Sequence, residues 1–143
     1  MKTAYRFSII TILLLLFSCG VADSPEAKAI AKNKEQLQGK WFYGMAPQSY
    51  TEITGDEWTD NLGEINVIVK SKMRWLSATR IELEVTESNA PINMMAVGYK
   101  HIISLTEIRD DLLQYNTTTQ RGTPECIYLL RSASSSSLPG TPC

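Results

Sequence analysis

Apolar residues alternate with polar ones along short stretches of this chain, and this two-residue period restricts the fold more than any other feature. In the clearest stretch, Ile81, Leu83 and Val85 share one face and charged residues fill most of the other. The same alternation recurs with the following apolar or inward faces: Trp41 and Tyr43; Ile65, Val67 and Val69; Val97, Tyr99, His101, Ile103 and Leu105; Leu113 and Tyr115; Ile127, Leu129 and Arg131. Such alternation is typical of β-strands with one buried face.

Turn-forming residues separate these stretches, so that consecutive strands are joined locally. The turn signals are Thr54-Gly55-Asp56, Asn61-Leu62-Gly63, Ser88-Asn89-Ala90-Pro91, Arg109-Asp110-Asp111 and Arg121-Gly122-Thr123-Pro124. Local connections favour an up-and-down antiparallel sheet, and a sheet with few helices to cover it buries its apolar face by curling on itself. The sequence therefore predicts an all-β fold, a small antiparallel up-and-down β-barrel or a strongly curled sheet.

One helix is expected ahead of the first strand. Ser24 stands where a helix N-cap is expected, Pro25 follows at the first helical position, and Glu26 lies in the first turn. Residues 27–36 are rich in Ala, Lys, Glu and Gln, which favour helix, but their apolar members are mostly alanine. We therefore expect a short, mostly solvated helix that is ended by Gly39.

The first residues have the form of a secretory signal. Lys2 and Arg6 precede an apolar run over residues 7–17, which is too short to span a membrane because spanning takes about 20 residues. The run ends in Leu16-Phe17-Ser18-Cys19, which resembles the lipobox of bacterial lipoproteins. The resemblance implies cleavage before Cys19, a diacylglyceryl group on its thiol and acylation of its amine. The alternative is an ordinary secretory signal with a chance cysteine.

The lipobox resemblance also predicts a location. Gly20 and Val21 follow the cysteine, so no aspartate stands directly after it. In the lipoproteins of many Gram-negative bacteria, an aspartate there signals retention in the inner membrane. We therefore expect a protein anchored in the outer membrane and facing the periplasm. Each buried acyl methylene contributes about 0.8 kcal/mol to such anchoring.

The chain has room for one compact domain. We assign residues 1–18 to the signal peptide, 19–36 to a lipidated tether and short helix, 37–131 to the β-barrel and 132–143 to a Ser-rich tail. The formal net charge is −1 and no basic run is present, which argues against nucleic acid as a partner. No cofactor is predicted.

Two cysteines, Cys126 and Cys143, remain once Cys19 is assigned to lipid. An exported chain matures in an oxidising compartment, so we expect these two to form a disulfide that ties the tail to the barrel. Closing a loop of this size contributes about 3 kcal/mol in the chain-entropy model. Two free thiols are the alternative, because Cys143 lies in a flexible polar tail.

Two motifs that bracket the strand region resemble those of lipocalins and of smaller bacterial lipocalin-like domains. Gln38-Gly39-Lys40-Trp41 stands at the first strand, and the last strand runs into Arg131. The resemblance implies that Trp41 plugs the base of the barrel and that Arg131 stacks across it in a cation–π contact. It also implies a barrel interior that holds a small ligand.

Candidate ligand contacts are inward residues of the predicted strands. Leu83, Tyr99 and His101 belong to this group, and Trp75 joins it from a predicted loop. His101 is the only histidine, and its role is either a hydrogen-bonding group or general base inside the barrel, or a structural residue with its hydrogen bonds satisfied. A nucleophilic pair of Cys126 with His101 requires a free thiolate, which the expected disulfide removes.

Large aromatic and sulfur-containing side chains are predicted in or beside loops, namely Trp58, Met73, Trp75, Met94 and Met95. At a barrel mouth they would line a ligand entrance or form a protein-binding patch; the alternative is that they cap the open end as core. The close carboxylates are assigned to a turn (Asp110 and Asp111), to a solvated strand face (Glu82 and Glu84) and to a loop (Glu57 and Asp60). The sequence contains no recognisable metal-ligand spacing or catalytic motif.

These features predict a non-catalytic, lipid-anchored envelope protein that binds a small apolar or amphipathic ligand inside a barrel. The alternative is an envelope interaction protein, such as an inhibitor, immunity or assembly factor, that acts through the loop residues Trp58, Trp75 and Met94. An enzyme that uses His101 is a third class. A cavity of roughly 300 Å³ or more would favour ligand binding, whereas a filled barrel would favour a protein partner.

Overall fold

The strands of this protein close into an antiparallel barrel in a computed structural model that describes residues 24–91, 95–118 and 122–132. The elements of the described chain are α1 (Pro25–Leu37), β1 (Gly39–Tyr43), β2 (Ala46–Thr54), β3 (Glu57–Leu62), β4 (Val67–Ser77), β5 (Arg80–Ser88), β6 (Lys100–Ile108), β7 (Leu112–Thr118) and β8 (Pro124–Leu130). Each strand pairs with the next along the chain, and β8 returns to β1. The prediction of a small, lipocalin-like, up-and-down barrel with a short N-terminal helix is confirmed.

Helix α1 begins and ends as its sequence predicts. The Ser24 side chain accepts a hydrogen bond of 3.1 Å from the Ala27 amide, and Pro25 opens the first turn. Leu37, the last helical residue, is the one residue of α1 that is buried. Gly39 then starts β1 with a φ of 102°, a left-handed conformation that favours glycine.

The barrel has two ends that we name after what lies there. The helix end contains α1 and the β2–β3, β4–β5 and β6–β7 turns, and the loop end contains the β1–β2, β3–β4, β5–β6 and β7–β8 connections. Residues 92–94 and 119–121 belong to two loop-end connections and lie outside the described residues, and Met94 is one of them.

Buried apolar side chains form two clusters inside the barrel. The main cluster occupies the helix-end half and the middle, and consists of Leu37, Trp41, Ile53, Trp58, Met73, Ile81, Leu83, Ile103, Leu105, Leu113, Tyr115 and Leu129. The second, which we call the loop-end cluster, consists of Val67, Val69 and Val85, with Leu62, Ala90, Met95 and Tyr99 packed against it. The alternation of Ile81, Leu83 and Val85 is thus confirmed, and it contributes to both clusters.

Two predicted strand starts are wrong. Ile65 and Val97 were expected to face inward, yet they are 56% and 65% exposed. Ile65 lies in the turn before β4, where Asn66 adopts a positive φ of 54°. Val97 likewise lies in the turn before β6, next to Gly98, whose φ is 87°. In both places the alternating pattern continues into a turn, and the strand begins later.

The predicted loop positions of three large side chains are also wrong. Trp58 lies on β3, and Met73 and Trp75 lie on β4. Trp58 and Met73 are buried in the main cluster, and Trp75 packs against it. Strands β2 and β3 were not predicted, because most of their residues are polar and their inward-facing residues include Thr51 and Asp60.

Candidate functional site

The helix end is closed by a cluster that the sequence predicts. Trp41 is fully buried, and its indole Nε1 donates a 2.8 Å hydrogen bond to the Leu37 carbonyl at the end of α1. The guanidinium carbon of Arg131 lies 3.5 Å from the centre of the Trp41 ring. The predicted cation–π contact between the first and last strands of the barrel is therefore present.

Arg131 also satisfies the end of the helix. Its two terminal nitrogens each donate a 2.7 Å hydrogen bond to a backbone carbonyl, one to Gln36 and one to Gln38. The last carbonyls of a helix have no partner within the helix, so a cation placed there serves as donor and complements the helix dipole. Arg131 thereby joins the end of β8 to the end of α1.

Gly39 makes this arrangement possible. A Cβ atom at this position would lie 2.9 Å from an Arg131 guanidinium nitrogen, and the backbone already has a left-handed φ. Glycine is therefore required both by the conformation and by the approach of the arginine. The three motif residues, Gly39, Trp41 and Arg131, form one structural unit.

Side chains of α1 and of Gln38, the residue that caps its end, hold the helix against the neighbouring turns. The Gln38 amide exchanges hydrogen bonds with the backbone of Gly55, in the β2–β3 turn. The Asn33 side chain donates a 2.8 Å hydrogen bond to the Ala78 carbonyl in the β4–β5 turn, and the Glu26 carboxylate accepts a hydrogen bond from the Ala78 amide. The helix therefore covers this end of the barrel through contacts that run from its first turn to its last.

A carboxyl group inside the barrel is the main feature that the sequence analysis missed. Asp60 was assigned to a loop, but it lies on β3, two residues after Trp58 on the same inward face. Its Oδ1 atom accepts three hydrogen bonds, from Thr51 Oγ1 at 2.5 Å, from Trp58 Nε1 at 3.0 Å and from the Tyr43 hydroxyl at 3.1 Å. Three strands, β1, β2 and β3, thus direct donors at a single oxygen.

Burial sets the electrostatics of this group. It raises the pKa of Asp60 above its ordinary value, and the three donors offset part of that rise because they stabilise the charged form. Burial also raises the pKa values of Tyr43 and Tyr115, and the nearby Asp60 charge raises them further. Among the described residues, no Lys, Arg or His pairs with the Asp60 carboxyl.

Apolar side chains lie directly beside this carboxyl. Asp60 pairs with Val69 across the β3–β4 ladder, and Leu62 pairs with Val67 one step nearer the loop end. Both valines belong to the loop-end cluster. The loop-end half of the barrel therefore combines an apolar wall with a buried acid at its base.

Tyr99 and His101 lie in this same half. Their rings stack at a centroid distance of 5.6 Å with an interplanar angle of 18°, and Tyr99 packs against the loop-end cluster. The His101 Nδ1 atom is buried and has no hydrogen-bond partner among the described residues. Burial lowers the pKa of His101, which favours the neutral ring.

The four predicted ligand contacts do not form one group. Leu83 pairs with His101 across the β5–β6 ladder and lies in the main cluster, so the structure brings it close to the stacked rings. Trp75 lies on the helix-end half of β4, where it pairs with Ile81. Its indole Nε1 is buried without a partner in the described part of the chain. Leu83, Tyr99 and His101 remain candidates for one site, and Trp75 lies apart from them.

Exposed apolar side chains occur at the tips of the loop end. Met45 in the β1–β2 turn is 89% exposed, and Ile65 and Val97 occupy the tips of two further connections. These residues, which we call the apolar rim, differ from the loop Trp and Met residues that the sequence predicts. Of that predicted group, Met95 packs against the loop-end cluster rather than projecting from it.

Cys126 lies on β8, on the outer side of the barrel wall. It pairs with Asn116 on β7, which in turn pairs with Ser104 on β6. An open groove of about 550 Å³ follows these residues across the outer face of the sheet. The Gln114 amide nitrogen lies 3.6 Å from the Cys126 sulfur. Cys143 and Cys19 lie outside the described residues, so their predicted roles stay predictions.

The described residues contain no group of three or more His, Cys, Asp or Glu side chains placed to hold a metal ion. Within the same ranges, no helix is long and apolar enough to cross a membrane. No family model, curated protein or solved structure matches this chain. The assignment to the small all-β barrels accordingly rests on the strand pairing.

Proposed function

We propose that this protein is a lipid-anchored, non-catalytic protein of the bacterial cell envelope that binds a small apolar or amphipathic ligand. The observation that carries the proposal is the loop-end half of the barrel, where the buried Asp60 carboxyl and its donors lie beside the loop-end cluster. Ligand sites are typically lined by apolar side chains with a few converging polar groups. Tyr99, His101 and Leu83 extend this lining across β5 and β6.

The arrangement around His101 supports binding rather than catalysis. A general base is held in place by a hydrogen bond to its second nitrogen and must reach the proton that it abstracts. Among the described residues, nothing holds the His101 ring through Nδ1, and its contact with Tyr99 is a stacking contact. An aromatic pair of this kind is suited to packing against a ligand.

The binding proposal is tested by native mass spectrometry of the protein extracted from its own envelope. Val69→Phe places a bulky ring in the loop-end cluster, and Ile68→Phe, on the exposed face of the same strand, is the matched control. We expect a bound small molecule in the wild type and in Ile68→Phe, and its loss in Val69→Phe with an unchanged circular dichroism spectrum. A wild-type protein that leaves its envelope without any bound molecule would contradict the proposal.

The lipid anchor is supported by the lipobox resemblance, which implies covalent attachment of lipid at Cys19. Because no aspartate follows this cysteine, the resemblance also implies the periplasmic face of the outer membrane. Metabolic labelling with a palmitate analogue tests it. We expect a labelled protein and no label on Cys19→Ser. Equal labelling of the two proteins, or none of the wild type, would overturn the anchor.

We also propose that Cys126 and Cys143 form one intramolecular disulfide. The support is their number in an exported chain and the accessible position of Cys126 on the outer side of β8. Peptide mass mapping without reductant decides the question. The expected product is a single cross-linked peptide pair, and alkylation of both cysteines in the unreduced protein would refute it.

The apolar rim favours a second candidate function, that of an envelope interaction protein such as an inhibitor, immunity or assembly factor. Met45, Ile65 and Val97 are exposed at three loop tips of the same barrel end. Exposed apolar patches mark protein-interaction sites as well as ligand-binding grooves. Crosslinking in cells distinguishes the two functions, because only the interaction protein should lose a specific partner when all three rim residues are replaced by serine.

A further inference from the structure

We infer that the ligand is an amphiphile with a protonated amine as its head group, which binds Asp60 while the apolar tail lies along the loop-end cluster. This inference rests on the proposed function and names the ligand class of that site. It is carried by the geometry of the carboxyl, by the charges that face it and by the position of the apolar wall.

The carboxyl has one oxygen available for a ligand. All three hydrogen bonds from Tyr43, Thr51 and Trp58 end on Oδ1, and no described residue donates to Oδ2. The buried side-chain atoms of the described residues that lack a partner are Trp75 Nε1 and His101 Nδ1, so Oδ2 is not sealed from solvent. The donors fix the orientation of the carboxyl and leave Oδ2 as an acceptor.

The charges around this oxygen select the sign of the head group. Asp60 is half-buried, and a carboxylate that is partly removed from water is costly without a positive partner, which none of the described residues supplies. A carboxylate or phosphate head group would be repelled, whereas an ammonium group neutralises the acid and donates to Oδ2.

The apolar wall sets the direction in which the ligand lies. From Asp60 toward the loop end, Val67, Val69 and Val85 are buried, and the half-buried side chains of Leu62, Met95 and Tyr99 that pack against them form the accessible part of the apolar wall. The apolar rim continues the same surface to the loop tips. An amphiphile therefore enters with its head group first, and its tail remains toward the loop end.

The test uses three probes with the same twelve-carbon chain, namely dodecylammonium, dodecanol and dodecanoate, each below its micelle-forming concentration. Binding is followed by calorimetry and by the tryptophan emission, because Trp58 donates directly to Asp60. Asp60→Asn keeps an acceptor for the three donors and removes the charge. Asp56→Asn, in the exposed β2–β3 turn at the helix end, is the matched control.

We expect the wild type and Asp56→Asn to bind dodecylammonium about tenfold or more tightly than dodecanol, which is the effect of one charge-assisted hydrogen bond. Dodecanoate should bind more weakly than dodecanol. Asp60→Asn should lose the preference for the amine and keep its affinity for the alcohol.

Two outcomes overturn the inference, and they differ in what they say about the proposed function. If the three probes bind equally, or if Asp60→Asn keeps the preference for the amine, the head-group assignment is wrong while ligand binding at the loop end stands. If no probe binds to a protein whose circular dichroism is that of a folded barrel, the ligand-binding function itself is contradicted.

Discussion

At the helix end of the barrel, the polar groups around the end of α1 meet partners within the protein: Trp41 donates to the last helical residue, Arg131 donates to two carbonyls there, and Gln38 exchanges hydrogen bonds with Gly55. The exception in this half is the buried Nε1 of Trp75, which has no partner among the described residues. At the loop end, a buried acid lacks a cation among the described residues, and the buried Nδ1 of His101 lacks a partner there. Apolar side chains at the same end project into solvent.

This difference indicates that the two ends of the barrel serve different purposes, one stability and the other binding. Satisfied hydrogen bonds and dense packing contribute stability, whereas unpaired polar groups and exposed apolar surface reduce it. Proteins retain such unfavourable groups where they serve binding or catalysis. We therefore assign the stability of the fold mainly to the helix end, and the proposed ligand binding belongs to the loop end.

The largest expected effect is at Trp41. Trp41→Ala removes a fully buried indole together with its hydrogen bond to Leu37, and it should lower the free energy of unfolding by about 3–5 kcal/mol. Urea denaturation measures this change. Arg131→Ala should cost about 1.5–3 kcal/mol. Because the two side chains are in contact, the double variant should deviate from additivity by about 0.5 kcal/mol or more. Additive effects would show that the two side chains do not interact energetically, which contradicts the contact described at the helix end.

A smaller effect is expected at Gly39. Gly39→Ala imposes a left-handed φ on alanine and places its Cβ against Arg131, so it should cost about 2 kcal/mol or more. Gly55→Ala is the control, because its φ is also positive, at 62°, but no atom lies within 4 Å of the added Cβ. It should cost about 1 kcal/mol. Equal losses would show that the approach of Arg131 has no energetic consequence.

At the loop end, substitution of a key residue should leave the free energy of unfolding unchanged or raise it, rather than lower it. The folded protein holds the pKa of Asp60 above its unfolded value, so Asp60 favours folding at pH values below the unfolded pKa, and this contribution is lost as pH rises through the folded pKa. Asp60→Asn should therefore leave stability at neutral pH unchanged or raised. Urea denaturation from pH 3 to pH 7 should show that the free energy of unfolding of the variant rises relative to that of the wild type as pH rises. If it instead falls relative to the wild type toward neutral pH, Asp60 stabilises the folded protein and the prediction is wrong.

The helix end was predictable from sequence because its signals are local or belong to known motifs. The Ser24 cap and Pro25 are set by neighbouring residues, Gly39 was expected just after the helix, and the contact of Trp41 with Arg131 was expected from the lipocalin resemblance. No comparable signal marks Asp60. Its inward direction depends on the register of β3 against β2 and β4.

The errors of prediction have a common physical cause. Alternation identifies a strand only if its inward residues are apolar, and β2 and β3 place Thr51 and Asp60 inside the barrel. The alternating pattern also continues through Ile65 and Val97 although the backbone turns there. The apolar turn residues lie at the loop end, and Asp60 lies beside the loop-end cluster, where the proposed function departs from the simplest strand pattern.

One paired measurement tests the different purposes of the two ends most directly: the thermal midpoint and the dissociation constant for dodecylammonium, determined for Arg131→Ala and for Asp60→Asn. We expect Arg131→Ala to lower the midpoint by several degrees and to leave the affinity within about twofold. For Asp60→Asn we expect the reverse, a midpoint that is not lowered and an affinity weakened about tenfold or more. If each variant lowered the midpoint and the affinity together, stability and binding would not be separated between the two ends, and the account would be contradicted.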